Sequence, residues 1–151
     1  MLRLDLDRQL GQLQQEVISL AEIVDKATMR AVDALKRRDL VESQQVVQED
    51  DYIDQKRYEI EDRCIDLIAT QQPMARDLRA IIALLHITVE LERMGDYAEG
   101  ISKISLLMGE DAPLKPLIDI PRMAEKATLM LRNSIDSLVN RDVVKANQVL
   151  Q

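Results

Sequence analysis

Two pairs of carboxylates have the spacing of neighbours on one helix face: Asp50 with Asp54, and Glu92 with Asp96. Residues four apart stack on an α-helix, so each pair offers its oxygens side by side. The pairs are also symmetric about Pro73. Asp50 and Asp96 each lie 23 residues from it, Asp54 and Glu92 each 19. In an antiparallel hairpin folded at that proline, both arms rise about 1.5 Å per residue, which sets Asp50 level with Asp96 and Asp54 level with Glu92. Four carboxylates then converge, and their repulsion must be offset. Arg57 and Arg93 offer one compensation. A bound cation offers the other, and an all-oxygen set suits magnesium, manganese, calcium or ferric iron better than it suits a thiolate zinc site. Spacing alone leaves open a plain surface cluster of acids paired with the two arginines.

Other chemistry finds little support. The single histidine, His86, stands apart from the acids, so no Ser-His-Asp or Cys-His set can be assembled around it. A ferritin-like di-iron oxidase needs Glu-x-x-His, and the residue three before His86 is Ala83. Gly-rich phosphate loops are absent. Cys64 continues an apolar helix line and reads as a buried, inert thiol. The seven Met are spread over the helices as core filler. No enzymatic turnover is expected.

The elements that must position the acids are helical. Hydrophobic residues make up 46% of the 151 residues, with no Phe or Trp and only 4 Gly and 4 Pro. That core material favours helices, and the turn residues are too few for an all-β fold. Leu13, Val17, Leu20, Val24, Ala27, Ala31 and Ala34 recur at helical spacing, predicting a first helix over about Asp7–Arg37. Arg37-Arg38-Asp39 forms a corner, with Asp39 as the next N-cap. A second helix runs to about Thr70 on the core positions Val46, Ile53, Ile60, Cys64 and Leu67, and Gln71-Gln72-Pro73 breaks it. A third runs from about Met74 to Met108 and stops at Gly109. On it, Arg79, His86, Glu90, Arg93 and Tyr97 form a solvated stripe, whereas Glu92 and Asp96 prolong the apolar line Leu78–Ile82–Leu85–Val89. A fourth helix is predicted from Asp119-Ile120-Pro121, with a cap and an early proline, to about Val139. Asn140-Arg141-Asp142 is a further corner that opens a fifth. Tight corners between long helices predict an antiparallel bundle.

A shift of 103 residues lays the fourth helix on the first. Identities fall at Ala21/Ala124, Glu22/Glu125, Asp33/Asp136, Leu35/Leu138, Arg38/Arg141, Asp39/Asp142, Val41/Val144, Gln45/Gln148, Val46/Val149 and Gln48/Gln151. The shared Arg-Asp corner, in register on both sides, points to an internal repeat. In the first copy an acidic motif follows Gln48; the chain stops at its counterpart, Gln151. The second repeat is therefore expected to be incomplete, and its apolar face (Met123, Ala127, Met130, Leu131, Ile135, Leu138) is expected to be covered by the first bundle or by another chain. Self-association, with a dimer as the default, is expected.

Twenty basic against 27 acidic residues give a net charge of −7, which disfavours nucleic acid as a ligand. The longest apolar run, from Leu78 to Leu91, is interrupted by Arg79, His86, Thr88 and Glu90, and no secretory stretch follows the charged N-terminus. No membrane insertion and a cytoplasmic location are expected. One cysteine allows no internal disulfide and fits a reducing compartment.

Three segments carry a family resemblance: Gln48-Glu49-Asp50-Asp51-Tyr52-Ile53-Asp54, then Pro73-Met74-Ala75-Arg76-Asp77-Leu78-Arg79, then Glu90-Leu91-Glu92-Arg93-Met94-Gly95-Asp96-Tyr97-Ala98. Together they resemble the PhoU family of phosphate-uptake regulators, across essentially the whole chain and including the repeat. The resemblance implies an all-α fold of repeated three-helix units, the first over residues 1–109 and the start of a second over 117–151. It implies acidic E/D-x-x-x-D motifs that bind multinuclear metal clusters in some members, which fall on Asp50/Asp54 and Glu92/Asp96; iron, zinc, manganese and magnesium are the candidate ions. Family members often carry Asn four residues after the last Asp of the motif, where this chain has Gly100. The implied role is regulatory: restraint of a phosphate ABC transporter through its ATPase subunit, and reporting to a phosphate-sensing histidine kinase. A metal-binding helical protein without a transport partner, or a structural interaction module, are the readings from other classes.

Overall fold

In the computed structural model, which describes residues 2–151, the chain is five helices in one bundle. Met1, where the first expected unit begins, lies outside the described residues. The helices are α1 (Leu2–Arg37), α2 (Leu40–Gln71), α3 (Ala75–Met108), α4 (Asp119–Asn140) and α5 (Val143–Val149). The first three pack on one another in all pairs, α4 lies along α1, and α5 packs on α4. Helix α1 starts earlier than its periodicity predicts. Asp5 in its first turn accepts from Arg8 and Gln9 at 2.6 Å each, and a carboxylate there also suits the helix dipole.

The core is aliphatic, as the composition requires. Leu13, Val17, Leu20, Val24 and Ala31 of α1 meet Val46, Ile53, Ile60, Cys64 and Leu67 of α2 and Ile81, Leu84 and Leu91 of α3. On α3 the buried line differs from the predicted one. Ile82 is exposed and Leu78, Leu85 and Val89 are half-buried, whereas Ile81, Leu84, Thr88, Leu91, Gly95, Ala98, Ser102 and Ser105 are buried. The upper half of α3 is apolar nearly all round and the lower half is buried through small and hydroxyl residues, so hydrophobicity does not mark its inner face. Thr88 is accommodated by donating to the Leu84 carbonyl at 2.8 Å. The solvated stripe from Arg79 to Tyr97 lies outside as expected.

The two corners are the same structure. Arg38 and Arg141 both adopt left-handed backbone, with φ of 58° and 52°. Asp39 N–H donates to the Ala34 carbonyl at 2.9 Å, and Asp142 N–H to the Ser137 carbonyl at 2.8 Å. Each aspartate is extended and caps the next helix, accepting from Glu42 N–H at 3.0 Å and from Lys145 N–H at 2.9 Å. The predicted cap at the start of α4 is not formed. Asp119 is the first helical residue and Ile118, without a side-chain bond, precedes it; its charge serves the first turn instead.

Helix α4 is held to α1 by Arg132, which donates to both Asp25 oxygens at 2.7 and 3.2 Å, and by burial of Ala124, Thr128 and Leu131. Its other side borders an open apolar groove of about 500 Å³ opposite α3, with Ile87 and Met94 on one wall and Met130 and Leu138 on the other. The repeat explains that face. Ile120, Met123, Ala127 and Met130 occupy the positions of Val17, Leu20, Val24 and Ala27. The latter four are buried in the three-helix core, while the α4 residues are exposed.

Candidate metal centre

Helices α2 and α3 meet along a seam whose steps alternate between four and three. On α2 it runs Val46, Asp50, Ile53, Arg57, Ile60, Cys64, Leu67; on α3 it runs Ile81, Leu84, Thr88, Leu91, Gly95, Ala98, Ser102, Ser105. This is the period that keeps two helices in register. Asp50 thus takes a core position, and it is only 7% exposed. Gly95 opposite makes the space. A Cβ there would stand 3.1 and 3.2 Å from the Ile53 methyl carbons and 3.6 Å from Asp50 Oδ1. Close approach of the two backbones therefore depends on a residue with no side chain.

The hairpin brings all four predicted carboxylates together. They fall into two overlapping triads, Asp54–Glu92–Asp96 and Asp50–Asp96–Glu99, with one oxygen from each member within 4.8 Å of the others. Asp96 belongs to both. Glu99 is the residue sequence reasoning missed. Its signal was present: Glu92, Asp96 and Glu99 follow one another by four and three, so they line one edge of α3, but a search confined to four-residue pairs passes over it. Lys103, one turn further, pairs with Glu99 at 2.5 Å.

Charge compensation is partial. Arg57 lies 3.6 Å from Glu92 but donates its Nε to Glu61 at 2.9 Å. Arg93 does not compensate the cluster, contrary to the expectation. It sits on the outer stripe and its nearest acid is Glu90, at 3.7 Å. Asp50 Oδ1 and Asp54 Oδ1 are buried with no hydrogen-bond partner. The electrostatic consequence is a raised affinity for protons. Burial first, then the charges of Glu99, Asp54, Asp96 and Glu92, push the Asp50 carboxyl up to about 7. Burial, a hydrogen bond shared with Asp96 and the Asp96 charge push Glu92 up to about 7, against the pull of Arg57. Lys103 is held more firmly protonated, chiefly by its hydrogen bond to Glu99.

These residues fit a hard cation. Each triad is all carboxylate, each contains an aspartate with a buried unpartnered oxygen, and the acids outnumber the cations beside them. The remaining reactive side chains lie elsewhere. Cys64 is buried and burial pushes its thiol up to about 11; His86 is exposed on α3 at the rim of the groove.

A three-helix bundle with a carboxylate ridge along one interhelical seam is the arrangement this chain presents for comparison with known proteins. Residues 17–105 match the PhoU domain, and the chain belongs to that family. It is 37% identical over 144 residues to the phosphate-specific transport system accessory protein PhoU homolog of Aquifex aeolicus, covering 95% of this chain and 65% of that protein. The homolog of the same name from Clostridium acetobutylicum is 33% identical over 141 residues, covering 93% and 64%. The crystal structure of the phosphate transport system regulatory protein PhoU from Streptococcus pneumoniae superimposes with a TM-score of 0.87 at 27% identity, covering 95% of this chain and 68% of that one. PhoU from Pseudomonas aeruginosa gives 0.88 at 26% identity, covering 94% and 68%. The chain spans just under two thirds of the length of the sequence relatives it matches.

Proposed function

We propose that this protein is an accessory regulator of phosphate-specific transport that works through protein contacts and carries a cation on its carboxylate ridge. The observation that carries the reading is where the family match falls: it spans the α2–α3 hairpin and all five acids of the ridge, and the relatives aligned over nearly the whole chain are named transport accessory proteins. In this reading the protein acts in the cytoplasm, contacts the ATPase subunit of a phosphate ABC transporter and a phosphate-sensing histidine kinase, and restrains uptake when phosphate is sufficient. No helix among the described residues is long and apolar enough to cross a membrane. In this reading the protein acts by contact and turns over no substrate of its own.

Asp50, Asp54, Glu92 and Asp96 hold the ion, for which iron, manganese and magnesium suit the oxygen set better than zinc. The ion supplies the positive charge that allows these carboxylates to stay ionised side by side. Residues 1–109 form one family unit and 117–151 begin a second, a reading the repeated corner supports. The exposed apolar face of α4 favours a homodimer.

Deletion of the gene in a strain without a paralogue tests the function. Phosphate uptake should rise and starvation genes should stay active in phosphate-rich medium. Normal repression in that strain would overturn the regulatory reading and leave a metal-binding helical protein without a transport partner.

A further inference from the structure

The hairpin of α2 and α3 has two sides. Its inner side packs on α1; α4 packs on α1 and α5 alone, so no helix covers the outer side. There the apolar line of α3, Leu78–Ile82–Leu85–Val89, comes to the surface: Ile82 is 37% exposed and the other three are half-buried. Tyr58 and Ile65 of α2 are 55% and 59% exposed. Asp54, four residues before Tyr58, joins Glu92 and Asp96, and Arg57 reaches Glu92, so this edge of α2 is the one turned to α3. The register about Pro73 sets Tyr58 level with Val89, at 15 and 16 residues from it, and Ile65 level with Ile82, at 8 and 9. From Leu78 to Val89 the apolar strip runs about 16 Å, at about 1.5 Å per residue. The Arg57 guanidinium stands 5.3 Å from the Tyr58 ring centroid and steadies it. The two rims of the strip carry opposite charge. Along α2, Asp51, Asp54, Tyr58, Glu61 and Ile65 follow by three, four, three and four; along α3, Arg79, Ile82, Val89 and Arg93 follow by three, seven and four. One rim is acidic and the other basic. Asp51 and Arg79 are exposed and in no ion pair among the described residues, and Arg93 is held only by Glu90, at 3.7 Å.

We propose that the outer side of the hairpin docks one amphipathic helix of a partner protein, laid along the strip with its apolar face inward, Lys or Arg on its edge over α2 and Asp or Glu on its edge over α3. This deepens the reading of the protein as a regulator that works by contact, and rests on it. Burial of the strip supplies the attraction. Tyr58, pre-set by Arg57, is the central anchor, and the charged rims select the partner and speed its approach. The inner side of the same hairpin already takes α1 as its third helix, and a helix laid in an apolar groove is a recurring mode of recognition.

The purified ATPase subunit of the phosphate transporter is the probe, with affinity read by biolayer interferometry and the contact mapped by hydrogen exchange. The expected result is a fall of about tenfold or more in affinity for Ile65→Ser with Ile82→Ser, and of about threefold or more for Asp51→Lys and for Arg79→Glu. Leu107→Ser, at an exposed leucine near the far end of α3, should leave the affinity unchanged. In the subunit, protection should centre on one helix with a basic and an acidic edge. An Ile65→Ser, Ile82→Ser chain with native circular dichroism and undiminished affinity overturns the docking site and leaves the contact reading standing. Protection confined to strands or loops of the subunit overturns the helix as occupant. Light scattering in which the same variant dissociates the chain's own dimer assigns the strip to a second copy and overturns the proposal. No binding by the unmodified chain overturns the contact reading and this inference with it.

Discussion

Asp50 and Glu92 make the stability of the ridge depend on pH. Both carboxyls are pushed up to about 7 in the folded chain, whereas unfolded carboxyls titrate near about 4. Between those values the folded state binds more protons than the unfolded one, so stability of the metal-free chain falls as pH rises through that window. Urea melts should therefore show a metal-free protein more stable near pH 5 than near pH 8, with Asp50→Asn flattening the difference. A divalent ion should restore stability at the higher pH by mass action. The ligand set predicts a second outcome. Asp54→Asn with Asp96→Asn removes two members of the Asp54–Glu92–Asp96 triad and one of the other, so stoichiometric metal measured by plasma mass spectrometry should be lost while helical circular dichroism persists. Unchanged metal content in that double variant would mean that the acids are only a solvated cluster.

At the scale of the helices, the site depends on how closely α2 and α3 approach. Gly95→Leu places a side chain against the Ile53 methyls, and overpacking of this kind costs about 1–3 kcal/mol. Denaturant melts should show that loss together with weakened metal binding, because Asp50 sits in the same gap. Asp39→Ala should cost about 1 kcal/mol through loss of the cap on α2, with metal binding retained. The hairpin itself was legible in the sequence, since Pro73 breaks the helix and the acids are equidistant from it. The corner at Asp39 was legible too, because its chemistry is local. The inner face of α3 was not. Thr88, Gly95, Ser102 and Ser105 are buried there, and no hydrophobic pattern announces small and hydroxyl residues packed between helices. Glu99 was missed for a related reason: the ridge follows the four-and-three period of the seam, and only its four-residue steps look like a motif. Arg93 shows the opposite error: offered as a compensating cation, it lies instead on the exposed stripe beside Glu90.

The whole molecule joins one complete three-helix bundle to a helix whose inner face remains open. Ile120, Met123 and Met130 are exposed where their repeat counterparts are buried, so association should follow concentration. Light scattering over a dilution series is expected to show a dimer at tens of micromolar that dissociates on dilution; a strict monomer with α4 ordered would show that α1 alone supports it. The central claim concerns a partner, and direct binding tests it best. The purified chain should retain the purified ATPase subunit of the phosphate transporter from the same organism in affinity capture with both at tens of micromolar. Retention at near-equal stoichiometry, competed by untagged chain, is the predicted result; no retention by a folded, metal-loaded chain would contradict the account.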